Sequence, residues 1–330
     1  MADRRVFDKL RRGSLDSRHF GVLGDGGRKP VGVLLLLALV AVWTSGCSPG
    51  RTPGTVEGSL TSGRISVVCA PEASALIDHE VAVFDSLYPA ARIAVRTGPS
   101  REAIRSLLAA ECDLAVLTRE LEPEERVAAA GGGVLLDGYA FAMDALVLVV
   151  HPGNGLENIS LDQVKGIYRG EVTGWEVLGG TGGAIEPVIQ PPGSDVTEAF
   201  VQRVMGGDAM LAHVVYERSD SGVVSFVSQH PGAIGFVTLA WADRGAKALR
   251  VAALKGLTYW RPDPEAVYAR EYPVTRRLNL YVRPKGPDLA NGLITFITSR
   301  DGQALVHEEG LVPTTVPVRF VRRSPMLGAH

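Results

Sequence analysis

Short apolar runs bounded by Gly, Pro and Asp alternate along this chain with stretches whose apolar residues recur every three or four positions. The runs at 65–69, 92–96 and 114–117 read as strands, and the spaced segments at 73–87 and 101–110 read as helices between them. That βαβαβ order implies a parallel sheet whose ligand crevice lies at the carboxyl ends of its strands. A continuous apolar run at 145–150 ends in His151-Pro152-Gly153. Beyond it the pattern predicts a helix over 161–168, a strand over 185–189, a helix after Ser194 and a strand over 233–237. The alternating stretch 278–282 reads as a further strand, and 289–298 and 301–309 read as closing helices.

The N-terminus has a different pattern. Arg28 and Lys29 precede an apolar run at 31–43 that is short for a membrane span and fits the core of a signal peptide. Thr44-Ser45-Gly46-Cys47 follows and looks like a bacterial lipobox, with Thr where Leu is usual. The expectation is a signal peptide over 1–46, cleaved before a lipidated Cys47, with an uncleaved N-terminal anchor as the alternative. Both put the bulk of the chain outside the cytoplasm. Residues 47–63, rich in Gly, Pro, Ser and Thr, read as a flexible tether. The tail at 316–330 carries Arg319, Arg322 and Arg323 and reads as a basic extension.

Composition narrows the function classes. The chain has 330 residues, 46% hydrophobic and 21% charged, enough for two lobes with separate cores. A formal net charge of −2 excludes a strongly basic, nucleic-acid-binding surface and means that any anion preference is local. With Cys47 lipidated, Cys69 and Cys112 remain. They fall at opposite ends of neighbouring strands, so two buried thiols are favoured over a disulfide. No nucleophile elbow, phosphate loop or metal-binding His motif occurs, and the histidines lack metal-ligand spacing, so no enzyme activity, cofactor or metal is expected.

The candidate chemistry begins at Gln190-Pro191-Pro192-Gly193-Ser194-Asp195, where a strand meets a Gly-Ser turn and a helix start. Helix starts present unpaired N–H groups and the positive end of the macrodipole, which suits an anion; the same serine also serves as an ordinary helix cap. Together with Asp113 to Leu121, Leu161 to Trp175, His230 to Phe236 and Tyr272 to Arg277, in that order, this stretch resembles the phosphate-binding proteins of ABC importers. The resemblance covers residues 65–315. It implies an α/β, two-lobed type II periplasmic-binding-protein fold, each lobe a mainly parallel sheet flanked by helices. Lobe one would be 64–148 with 276–315, and lobe two 149–275. It further implies an extracytoplasmic receptor that closes over phosphate or a related oxyanion and delivers it to a membrane permease.

The resemblance carries Asp113 over as the family's ligand-binding Asp, and Ser100, Gly193 and Ser194 as donors. At other positions the pattern departs. Glu72 falls where the family has a hydroxyl, Gln190 where it has an arginine, and Asp195 where it has a glycine, so two carboxylates enter the crevice and a guanidinium leaves it. Arg101 either swings in to replace that charge or stays in solvent, paired with Glu102 or Glu72. Arg119 reads as half of a structural ion pair. Two further readings of the chain stand open: a receptor for a cationic or neutral solute, or a metal, through Glu72, Asp113 and Asp195; and a ligand-free accessory protein.

Overall fold

A computed structural model describes residues 58–210 and 213–314. The expected signal peptide, Cys47, the tether up to residue 57 and the basic tail lie outside these residues. The strands are β1 (Gly63–Cys69), β2 (Ala91–Thr97), β3 (Leu114–Leu117), β4 (Asp137–Val150), β5 (Asn158–Ser160), β6 (Glu186–Ile189), β7 (Val215–Tyr216), β8 (Ala233–Thr238), β9 (Lys247–Ala248), β10 (Arg250–Ala252), β11 (Thr275–Val282) and β12 (Val312–Pro313). The helices are α1 (Ser74–Leu87), α2 (Ser100–Leu108), α3 (Pro123–Gly131), α4 (Leu161–Tyr168), α5 (Asp195–Phe200), α6 (Asp220–Gln229), α7 (Pro264–Tyr268), α8 (Asp288–Ile297) and α9 (Arg300–Glu308).

Most strands join one sheet in the order β2-β1-β3-β11-β4-β8-β6-β7. β1 pairs in parallel with β2 and β3, as the βαβαβ pattern predicts, and β11 inserts antiparallel between β3 and β4. The long strand β4 belongs to both halves of the sheet. Asp137 to Ala145 pairs with β11, and Leu146 to Val150 pairs with β8. The run Ala145 to Val150 is wholly buried because it is covered on both faces, which is why it reads as unbroken apolar sequence.

Two main cores lie on either side of this crossing. One gathers β1, β3, α1, α8 and the lobe-one end of β11 around Ile77, Phe84, Leu280 and Leu293. The other packs Tyr168, Trp175, Phe200 and Phe236 against the far half of β4, with the Phe200 and Phe236 rings stacked at 4.0 Å. Cys69 and Cys112 are buried free thiols, in agreement with the strand-end argument.

The carboxyl ends of β1, β2, β6 and β7 lead into the starts of four helical segments: the 3-10 turn Pro71–Ala73, α2, α5 and α6. β4 and β11 supply the strands that run between the halves. The candidate site is built on these helix starts and on the middle of β4 and β11.

Candidate functional site

Helix α2 begins at Ser100 immediately after Pro99, and its first N–H groups have no partner within the helix. The partner comes from the other half of the protein. The Ser100 N–H lies 3.1 Å from each oxygen of the Asp195 carboxylate, and the Ser100 hydroxyl donates to Oδ2 in a short hydrogen bond. Thr118, just past the end of β3, donates its hydroxyl to the same Oδ2 at 2.9 Å, and the Thr118 N–H donates to Ser100 Oγ at 3.1 Å. All three residues are buried.

Asp195 is thus an anion seated at a helix start. The seat has the donors expected for a bound oxyanion, two hydroxyls and a backbone N–H, and a side chain of this protein fills it. Gly193, at φ +88°, turns the chain so that α5 begins with Asp195 facing the opposite half. Ser194 caps α5 by accepting from the Thr197 N–H at 3.2 Å, so its hydroxyl has the capping role weighed above. The Thr197 hydroxyl donates to the Gln190 carbonyl at 2.8 Å, fixing the turn from below.

Gln190 takes part in a second buried network. Its Nε2 donates to Asp220 Oδ1 at 2.8 Å, while Asp220 Oδ2 accepts from the Thr238 N–H at 3.2 Å and the Thr238 hydroxyl at 2.5 Å. Asp220 is the first residue of α6. Burial raises its pKa, against the pull of the Thr238 hydrogen bonds. The starts of α5 and α6 therefore each carry a carboxylate, and Glu72 adds a third in the turn ahead of α1.

Glu72 is half-buried, with Oε2 shut off from solvent and without a hydrogen-bond partner. Burial pushes its carboxyl up to about 7; the charge of Arg276 opposes the rise and that of Asp195 adds to it. Glu72, Gln190, Asp220 and Thr238 line a cavity of about 380 Å³ between the two halves, together with Arg218 and Trp241.

The guanidinium absent from position 190 has a counterpart on β11. Arg276 is 3% exposed, and its Nε donates to Asp144 Oδ2 at 2.8 Å. Asp144, on β4, also accepts from the Leu239 N–H at 2.9 Å. Burial disfavours the Arg276 charge, but Asp144, Glu72 and Asp195 together outweigh it, and its pKa is raised. Its Nη1 has no hydrogen-bond partner.

The structure brings Ser100 and Asp195 into contact, sets Gln190 and Glu72 along the same crevice, and leaves two expected site residues elsewhere. Asp113 precedes β3, at the opposite end from the crevice, where it accepts from the Ser66 N–H and hydroxyl at 2.8 and 3.1 Å and lies 3.7 Å from Arg283. In a parallel sheet only the residue after the strand reaches the crevice, and here that residue is Thr118. Arg101 points outward, its side chain 76% exposed and 3.9 Å from Glu198, and does not take the place of the missing guanidinium. Arg119 pairs with Glu125 at 2.7 Å, the structural role expected of it. Thr118, Asp144, Asp220 and Arg276 were not singled out by the sequence. Their signals were a Thr following a buried strand, a lone Asp inside an apolar strand, an Arg-Arg pair at the start of another, and a Ser-Asp pair opening a helix. Among the described residues no cluster of His, Cys, Asp and Glu has the geometry of a metal site.

Comparison with known proteins gives a consistent picture. The phosphate-binding protein PstS of Bacillus subtilis is 28% identical over 54% of this chain, a match spanning 57% of that relative's length. Its counterpart from Pseudomonas aeruginosa is 23% identical over 81% of this chain and 88% of its own. Among solved structures, a putative phosphate ABC transporter substrate-binding protein from Clostridium perfringens, with bound phosphate, superposes with a TM-score of 0.67 at 23% identity, covering 76% of this chain and all of that one. An ABC-type phosphate transport receptor from Vibrio cholerae gives 0.65 at 21% identity over the same shares. These structures share the mixed α/β, type II periplasmic-binding-protein fold. Residues 54–301 match the model of the PBP superfamily domain, and the chain belongs to that family.

Proposed function

We propose that this chain is an extracytoplasmic solute-binding lipoprotein of the ABC-importer type, tethered through Cys47, in which Asp195 takes the place of the bound oxyanion between the lobes. One observation carries this reading: the Asp195 carboxylate accepts the hydrogen bonds of the Ser100 N–H, the Ser100 hydroxyl and the Thr118 hydroxyl. A second anion about 4 Å from that carboxylate is repelled by roughly 4 kcal/mol at an effective dielectric of 20, close to a thousandfold in affinity. Phosphate, the ligand in the relatives' names, is therefore kept out of this seat. The lobes are pinned by a resident carboxylate, and the protein presents the closed shape to a permease without a solute in the seat.

Small-angle scattering of the protein with and without phosphate tests this. The expected result is one closed profile under both conditions, and an open profile that closes with phosphate for Asp195→Gly. A wild-type protein that is open alone and closes with phosphate would overturn the reading.

A second reading has its own observation. Glu72 lines the cavity it shares with Asp220 and carries a buried carboxylate oxygen without a hydrogen-bond partner, which suits a solute bearing an N–H donor or a cationic nitrogen. Stabilisation by such a solute, lost in Glu72→Gln, would favour it.

A further inference from the structure

Beside the crevice, four arginines from three elements surround one cavity of about 250 Å³. Arg276 and Arg277 come from β11, Arg203 from the helical turn Val201–Met205 that continues α5, and Arg270 from the turn after α7. Glu120 is the one carboxylate lining the cavity. It is exposed and lies only loosely against Arg277, at 3.9 Å, and Arg126, at 3.7 Å. Among the described residues no carboxylate lies within ion-pair distance of Arg203 or Arg270. Arg203, Arg270 and Arg277 around a small volume repel one another, so their convergence is unfavourable unless an anion joins them.

Of the four, Arg276 is buried and already paired with Asp144, 2.8 Å away, so the solvent-accessible positive charges at the cavity are Arg203, Arg270 and Arg277. Arg270 is held at φ +58°, in the left-handed region, which is uncommon for a residue other than Gly or Asn and costs about 1 kcal/mol. Here a strained arginine stands where a glycine is easier to accommodate. The cavity also shares Arg203, Arg276 and Glu120 with a larger one, about 960 Å³, that reaches Thr118 and Gly193 at the crevice.

We propose that Arg203, Arg270 and Arg277 form a second anion site for a small tetrahedral oxyanion carrying two negative charges, outside the seat filled by Asp195. Fork-shaped guanidinium donors match a tetrahedral dianion better than a monovalent carboxylate, so phosphate or sulfate binds and acetate does not compete. The site is independent of what fills the crevice.

The test is the number of phosphates bound per full-length chain, measured by equilibrium dialysis with labelled inorganic phosphate at low ionic strength. Wild type is expected to bind one. Arg203→Ala with Arg270→Gly, two exposed positions of which the second relieves backbone strain, is expected to weaken binding at least about tenfold, the loss of one charge-assisted hydrogen bond, without lowering the melting temperature in phosphate-free buffer. Asp195→Gly is expected to bind two, and its combination with the arginine substitutions one. If wild type binds none, or the arginine variants bind as wild type does, the second site is overturned. If Asp195→Gly stays at one phosphate that the arginine substitutions abolish, the second site stands and the reading of Asp195 falls. Should the double arginine variant unfold, Arg203→Gln alone, compared with wild type in the same titration, decides the question.

Discussion

Ser100 and Asp195 lie 95 residues apart in sequence and on opposite sides of the β4 crossing, yet the first N–H of α2 and the hydroxyl beside it both donate to that carboxylate. The contact joins the start of one helix to the first residue of another. Its consequence is a charge balance: the positive end of α2, which would draw in a free anion, is neutralised by an anion already attached to the chain.

Removing that carboxylate separates two effects. Asp195→Ala leaves the buried Ser100 and Thr118 donors without an acceptor and is expected to destabilise the protein by about 2–4 kcal/mol. Urea unfolding measures this, and phosphate is expected to restore much of the loss by occupying the vacated seat. A loss that no oxyanion restores would mean that the seat does not accept a free anion.

The buried pair Arg276 and Asp144 predicts a second, non-additive result. Arg276→Met strands Asp144 in the interior and is expected to cost about 3–5 kcal/mol, as is Asp144→Leu, which strands Arg276. The double substitution is expected to cost much less than the sum, because neither charge is then left alone. Strictly additive unfolding energies would contradict the pairing.

Glu80 gives a pH signature. It lies on the buried face of α1 with neither carboxylate oxygen hydrogen-bonded, and burial pushes its carboxyl up to about 8. The folded protein therefore keeps a proton that the unfolded chain releases near pH 4.5, so stability from this group is full below about 4.5 and is lost as pH rises to 8. Glu72, pushed up to about 7 by burial, acts in the same direction over a narrower range. Glu80→Gln is expected to be more stable than wild type at pH 8, by on the order of 3 kcal/mol, and nearly equal at pH 4.5. Melting temperatures at the two pH values check this; a gap that does not widen with pH would contradict it.

How far the sequence revealed the protein follows from burial. Strands covered on both faces, such as β3, β8 and the second half of β4, read directly because nothing polar interrupts them. The first half of β4, Asp137 to Asp144, did not read as a strand, since its start is exposed, Gly138 sits in it and Asp144 breaks the apolar run. Helix α6 was missed for a local reason: Val223-Val224-Ser225-Phe226-Val227 is β-branched and aromatic, and the segment is helical because its Ser219 cap and its packing on β8 outweigh propensity. At the site, Asp195 and Gln190 stood out as departures from a family pattern and Ser100 as a donor, but Thr118, the other partner of Asp195, did not. Finding Thr118 required knowing where β3 ends, and that boundary shifts the crevice residue from Asp113 to the far end of the strand.

The most direct test of the Asp195 seat is a pair of crystal structures grown in phosphate, one of the wild type and one of Asp195→Gly. The account predicts Asp195 on Ser100 and Thr118 in the first, and in the second a tetrahedral anion in hydrogen-bond contact with the Ser100 N–H and the Thr118 hydroxyl. Phosphate between Ser100 and Thr118 in the wild type, with Asp195 turned away, would contradict it.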